Sequence, residues 1–347
     1  MMPIETLTAA NILAIPPGEP ERLFSPGAGA LRAEFTALVK RWHPDRNAGS
    51  AEAAQVFTRI LTLRSAALAK LSGHASPDPS VLKIETRDGR TFEFKAKRRH
   101  PFELGEMVIA ERRVAFMVDQ AHESLFRAGL RRIETIVYPD DAVRHEVARF
   151  LPTVERVLAT PASRIAILGK SENAVLLKDL LDHLGGQLPP KHVAWVVSSL
   201  LNLACFFAAT GLTHNALSTA TVFVAPKHHA AYLLGGWWYA APAGARLTML
   251  PAETHALMPP SIAAGKRADI RLDLESIRAI ARVCLGDPTG VELVGRTDVP
   301  RPMADFFRLP SSGSALEDYR TWDQVLRESF GPRRFVDLPV SASDVYP

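Results

Sequence analysis

ALRAEFTALVKRWHPDRNAGSAEAAQVFTRILTLRSAAL, residues 30–68, decides how the first part of the chain is read. Leu31, Phe35, Leu38, Val39 and Trp42 recur at helical spacing and make one apolar stripe. Arg32, Glu34, Lys40 and Arg41 fall on the other side. Pro44 disfavours α geometry at His43, so a first helix from Leu31 to Trp42 ends there. Asn47, Gly49 and Ser50 form the loop. Ser50 suits an N-cap, and Glu52 lies in the next first turn, where the helix dipole favours an acid. Over Ala51 to Leu71, Ala53, Val56, Phe57, Ile60, Leu61 and Leu68 give a facing stripe. Two such stripes predict an antiparallel helical hairpin whose tip presents His43 and Asp45, flanked by Arg41 and Arg46. The competing reading makes HPDRN only a helix-ending turn, since Pro, Asp and Asn are ordinary turn residues.

Over about residues 20 to 72 this segment resembles the J-domain of DnaJ-type co-chaperones, whose loop carries the same His-Pro-Asp tripeptide. The resemblance implies that His43, Pro44 and Asp45, with Arg32, Lys40, Arg41 and Arg46, dock on a DnaK-type chaperone. Docking would stimulate ATP hydrolysis in the partner, an allosteric role with no chemistry of its own. The family carries further Lys or Arg in the middle of its first long helix, where this chain has Thr36 and Ala37. Charge complementarity mainly sets on-rate and partner choice, so a weaker or specialised coupling is expected. The short opening helix of the family is expected at Glu21 to Phe24.

A chain of 347 residues predicts two or three domains, and 47% apolar residues suffice for ordinary cores. With 41 basic and 37 acidic residues the net charge is only +4, so nucleic acid is not an expected partner. The basic run Lys95, Lys97, Arg98, Arg99 and His100 reads as a solvated strand edge. Cys205 and Cys284 lie in apolar helical patterns without a C-x-x-C motif, which fits a reducing cytoplasm. The first residues show no basic region before an apolar run, so no signal peptide is expected. Val193 to Ala209 contains Ser198, Ser199 and Asn202 and reads as a buried core helix, not a membrane span. Ser72 to Ser80 reads as a linker. The expected divisions are a J-like helical domain over 1–72, a linker over 73–80, a larger domain over 81–300 and a helical extension over 301–347. No cofactor, metal or membrane contact is expected.

Beyond the linker the period changes. Val81 to Phe94 alternates around Asp88-Gly89, a hairpin signal. Met107 to Ala110, Val114 to Val118 and Arg132 to Val137 read as strands, Asp140 to Leu158 as a helix and Ile165 to Leu168 as a strand. Val175 to His183 and Pro190 to Thr210 read as helices. Ala315 to Phe330 is a final amphipathic helix with Leu316, Tyr319, Trp322, Val325 and Leu326 on one face. The fold class is therefore α+β: a small all-α J-like hairpin, then a strand-rich lobe and a helical lobe.

From about 100 to 290 this order resembles the protein-kinase fold. Gly211 to Val224 lies where a kinase has its catalytic loop, which includes His214. Tyr232 to Trp237 lies where the metal-binding Asp-Phe-Gly triplet belongs, and Met258 to Ser261 resembles the Ala-Pro-Glu region. The resemblance puts a structural acid at Asp273, the αC acid at Glu146 and the ATP-pairing Lys at Arg131 or Arg132. It puts the catalytic base at Ala216, the metal-binding Asn at Thr221 and the metal-binding Asp at Leu234. The glycine-rich loop would fall near Ala110 to Ala115, which has no glycine. Phosphoryl transfer needs all of these parts, so the resemblance implies a pseudokinase.

His214-Asn215 lacks a sequence-adjacent acid to complete a base–orienter pair and reads as structural. His228-His229 could ligate metal, but neighbours on a strand face opposite ways, so surface positions are expected. Gly235 to Tyr239 reads as core packing, with an exposed aromatic patch as the alternative. Three functions stay open: a co-chaperone or adaptor bringing a DnaK-type chaperone to an unknown client, an atypical kinase or nucleotide-binding protein, and a structural or assembly protein, cellular or of a bacterial virus.

Overall fold

The computed structural model describes residues 7–42, 47, 50–71, 81–86, 89–332 and 334–347. His43, Pro44, Asp45 and Arg46 lie outside the described residues, as do the expected linker over 73–80, Asp88 and the side chain of Leu68. By contact the chain divides into two units whose bounds differ from the expected domains. They are Met1–Glu123 with Glu155–Leu168, and Ser124–Val154 with Gly169–Pro347.

The first unit opens with three helices, α1 (Ala9–Leu13), α2 (Ala28–Trp42) and α3 (Ala51–Leu71). Thr8 and Asn11 cap the start of α1 reciprocally. Ser50 caps α3 by accepting from the Ala53 amide at 3.1 Å. Leu31 and Leu38 of α2 meet Val56, Ile60, Leu63 and Ala67 of α3, and Ile12 of α1 joins the same core. The opening helix is thus Ala9–Leu13. Glu21 and Arg22 lie instead in a 3-10 turn begun by Pro20, and Leu23 and Phe24 beyond it are buried anchors.

The rest of this unit is β-structure. β1 (Val81–Glu85) and β2 (Thr91–Lys95) pair antiparallel, with Leu82 opposite Phe94 and Ile84 opposite Phe92. β3 (Arg98–Phe102), β4 (Gly105–Ile109), β5 (Arg113–Asp119), β6 (Val154–Ala159) and β7 (Ser163–Gly169) form a sheet in the order β3-β4-β5-β7-β6. Gly105 is required where the strands pair, because a Cβ there would collide with the Met117 carbonyl oxygen. The hairpin covers the sheet through Leu82, Ile84 and Phe94 against Val108, Ala115, Leu158 and Ile167. Arg64 of α3 forms a largely buried ion pair with Asp119 at the end of β5.

The second unit is mostly helical. It comprises α4 (Glu123–Glu134), α5 (Asp141–Val147), β8 (Val175–Leu176), α6 (Leu177–His183), α7 (Pro190–Thr210), β9 (Leu212–Thr213), β10 (Val222–Ala225), β11 (Ala230–Leu233) and β12 (Ala241–Pro242). There follow α8 (Ala252–Ala256), α9 (Pro260–Ala263), α10 (Ile270–Cys284), α11 (Arg301–Arg308), α12 (Ala315–Phe330) and α13 (Ala342–Val345). α7 is the axis, packed against α10 and α12. Among the described residues it is the one helix long and apolar enough to cross a membrane, and most of it is buried. Trp322 of α12 donates its indole N–H to Ser198 of α7 at 2.9 Å.

Three further elements differ from the sequence expectation. Arg131 and Arg132 stand on α4 and not on a strand, because Phe126, Gly129 and Ile133 bury one side at helical spacing. The helix expected over 140–158 stops at Val147 after its Asp140 cap, and Pro152 precedes strand β6. Val175 and Leu176 pair with Val224 and Phe223 as a strand before α6 begins.

Arg278 of α10 and Asp318 of α12 form a 2.6 Å ion pair with both side chains 3% exposed, and the guanidinium lies 4.5 Å from the Phe306 ring centroid. Removing one partner of such a pair strands a buried charge. Asp318→Ala should lower urea-unfolding stability by about 3–5 kcal/mol. Replacing both residues by apolar ones of similar size should cost much less, and an Asp318→Ala variant as stable as the parent would refute this role.

Candidate functional site

The residues expected from 211 to 273 converge on one buried cluster. Asp273 lies in the first turn of α10, whose N-cap is Asp269, and is fully buried. Its two carboxylate oxygens accept the backbone amides of His214 and Asn215, each at 2.7 Å. Asn215 holds a left-handed backbone (φ 60°), and its side-chain amide donates to Thr213 Oγ1 at 2.8 Å and to the Tyr239 carbonyl at 3.0 Å. These bonds offset the strain of a non-glycine residue in that region.

His214 is also fully buried. Nε2 lies 3.0 Å from the Gly235 carbonyl oxygen, so the proton sits on Nε2 and donates there. Nδ1 has no hydrogen-bond partner among the described residues. The ring lies edge-on to Trp237 at 5.3 Å and near-parallel to Phe207 at 6.3 Å. Gly236 has φ 80°, and a Cβ there would come within 2.7 Å of His214 Cε1. Thr221 Oγ1 donates to the Ala216 carbonyl at 2.7 Å and accepts the Ser218 amide at 2.9 Å, which closes the loop on itself. Ala216 and Leu234 are buried apolar side chains.

The aromatic run is packed, as its core reading predicts. Trp237, Trp238 and Tyr239 are all buried, because they occupy a 3-10 turn and not a strand. Trp238 stacks on Phe126 of α4 at 5.2 Å, and Gly129 lets α4 approach Trp237 and Trp238 closely. Arg131 and Glu146 are exposed, on α4 and α5, and neither bonds to the cluster among the described residues. Arg132 is half-buried with Nε unpartnered. Residues 110–112 make a tight turn between β4 and β5, with the Ala110 amide donating to the Arg113 carbonyl.

On the first unit, Arg32, Thr36 and Lys40 follow one another at helical spacing on α2 and are exposed, as are Ala37 and Arg41. Thr36 Oγ1 turns back to the Arg32 carbonyl at 2.8 Å. The basic face is therefore interrupted at its middle. The Arg41 carbonyl accepts from Asn47 Nδ2 at 2.9 Å, which ties the helix end to the far side of the loop.

Chemically, the cluster has one acid, and both of its oxygens are occupied by backbone amides. Burial pushes the Asp273 carboxyl up to about 7, against the pull of its two amide donors. Burial pulls His214 down to about 4, against its bond to Gly235. Both groups are fully buried, and both oxygens of Asp273 are taken by backbone amides. No group of three His, Cys, Asp or Glu able to hold a metal occurs among the described residues. The sequence did not expose the Asp273 bonds, since a backbone N–H leaves no mark in residue identity. No protein-family model matches the chain, and no curated protein matches it.

The two shifts act oppositely on stability. An unfolded His binds its proton below 6.5 while His214 stays neutral to about 4, so its contribution is full above 6.5 and is lost on acidification toward 4. The contribution of Asp273 is full below 3.8 and is lost as pH rises toward 7. Asp273→Asn removes the second slope, so its stability should fall more steeply than the parent's from pH 6.5 to 4. By NMR the His214 ring should remain an Nε2–H tautomer until about pH 4. Titration near 6.5 would mean a solvated ring and would refute the packing described.

Proposed function

We propose that the chain is a J-domain-like co-chaperone or adaptor whose larger part is a catalytically inactive, protein-kinase-like scaffold. The His-Pro-Asp tripeptide at 43–45 between two mutually packed helices carries the first half of this proposal. A short helix preceding them, α1, supports it. The loop would act on a DnaK-type chaperone, with Arg32, Lys40, Arg41 and Arg46 steering the encounter. The scaffold would supply the client or assembly that receives the chaperone.

The strand-rich to helical order and the bonds of Asp273 to the 214–215 loop support the second half. In a kinase the ATP-pairing Lys ends a V-A-I-K run on the third strand. Val114-Ala115-Phe116-Met117 on β5 is similar to that run with Met117 at the place of the Lys, an alternative to Arg131 or Arg132, which stand on α4. Residues 110–112, where the resemblance places the start of the glycine-rich loop, make a tight turn without glycine. Ala216, Thr221 and Leu234 lack carboxylates, and so do Gly235 and Gly236 beside them. This would leave the base and metal positions of the resemblance without a carboxylate, which supports an inactive scaffold.

The full chain should stimulate ATP hydrolysis by a DnaK-type chaperone, and Asp45→Asn should abolish the effect. Restoring charge with Thr36→Lys and Ala37→Lys should raise the association rate several-fold, with the gain shrinking at high salt. Mg-ATP at millimolar concentration should leave the melting temperature unchanged. No stimulation of any DnaK-type chaperone tested would remove the co-chaperone role, and a melting shift with Mg-ATP would favour the nucleotide-binding alternative.

A further inference from the structure

The second unit holds a cavity of about 720 Å³ bounded by α7, α12 and residues 331, 332 and 334–336, well away in sequence from the 214–215 loop. That volume falls within the range of small-molecule sites. Its wall is aromatic: Trp195, Tyr319, Phe330 and Phe335 line it. Phe335 is 67% exposed, yet its ring lies 4.2 Å from His229 at an interplanar angle of 16°. Trp195 stacks on the opposite side of His229 at 5.0 Å, giving a three-ring stack.

A further observation concerns His229, whose left-handed backbone (φ 48°) closes the turn between β10 and β11. Its Nε2 is buried without a hydrogen-bond partner among the described residues, and burial lowers the pKa of this ring, so the unpaired nitrogen belongs to a neutral imidazole. The charged side chains of the lining are Lys191 and Arg334, both exposed, and no Asp or Glu is among the described lining residues. Asp337, beside the lining residue Val336, acts on His229, but the two cations of the lining outnumber it, and apolar rings with a net positive rim select an anion that has an apolar body.

We propose that this cavity binds an amphipathic anion: an aromatic or aliphatic body seated against Trp195 and Phe335, with a carboxylate or sulfonate paired by Lys191 and Arg334. The proposal does not rest on the co-chaperone reading.

The test uses the full chain, 2-naphthoate as the probe and uncharged 2-naphthamide as its control of equal shape. Indole N–H resonances report on Trp195, whose Nε1 donates to His192 Nδ1 at 3.3 Å. Naphthoate should shift the Trp195 resonance saturably and bind about tenfold more tightly than the amide. The exposed double variant Lys191→Ala/Arg334→Ala should erase that preference without changing the melting temperature. Asn202→Trp, which places a ring in the cavity from an exposed position on α7, should abolish binding of both compounds. No saturable shift in the parent, equal affinity for the two compounds, or an unaltered preference in the double variant would each overturn the proposal.

Discussion

The two amide-to-carboxylate bonds of Asp273 are the constraint on which the second unit is arranged. A fully buried carboxyl is tolerated only where its desolvation is offset, and here each oxygen takes one amide from the loop after α7. The bonds fasten that loop to the start of α10 across 58 to 59 residues of sequence. They also set the geometry of the neighbouring backbone. Asn215 is drawn into a left-handed turn, which aims the His214 ring at the Gly235 carbonyl. Gly236 must lack a side chain because the His214 ring occupies that space. The chain beyond it can then coil into the turn that buries Trp237, Trp238 and Tyr239, against which α4 packs at Gly129.

Both oxygens of Asp273 are satisfied by backbone amides, and burial holds the His214 imidazole neutral, so the pair fastens the loop to α10. The Ala216 and Leu234 side chains are packed as core. Thr221 closes the loop on itself through the Ala216 carbonyl and the Ser218 amide.

Much of the helical architecture was legible in the sequence. Residues 315–330, 190–210 and the 51–71 helix carry long apolar stripes; the first two end at Gly and the third begins at the Ser50 cap, so period and caps agree. The β1–β2 hairpin was legible for the same reason at period two. Arg132 to Val137 misled because a short alternating run competes with a helical one. The apolar spacing of Phe126, Gly129 and Ile133 won, since a glycine can count as a buried position when an indole fills the space above it. The helix Ala9–Leu13 is harder to read, because the Thr8–Asn11 cap that starts it is a quieter signal than the burial that Leu23 and Phe24 advertise. The fate of the aromatic run and of Asp273 was hidden, since both depend on backbone groups brought from far along the chain.

Native-state hydrogen exchange of the His214 and Asn215 amides tests the central claim most directly, because these two N–H groups are the bonds themselves. If the clamp is the constraint around which the second unit is organised, both amides exchange only through global unfolding, with free energies matching that from denaturant unfolding. Exchange of either amide at the rate of an ordinary surface loop, in a chain that remains folded, would contradict it.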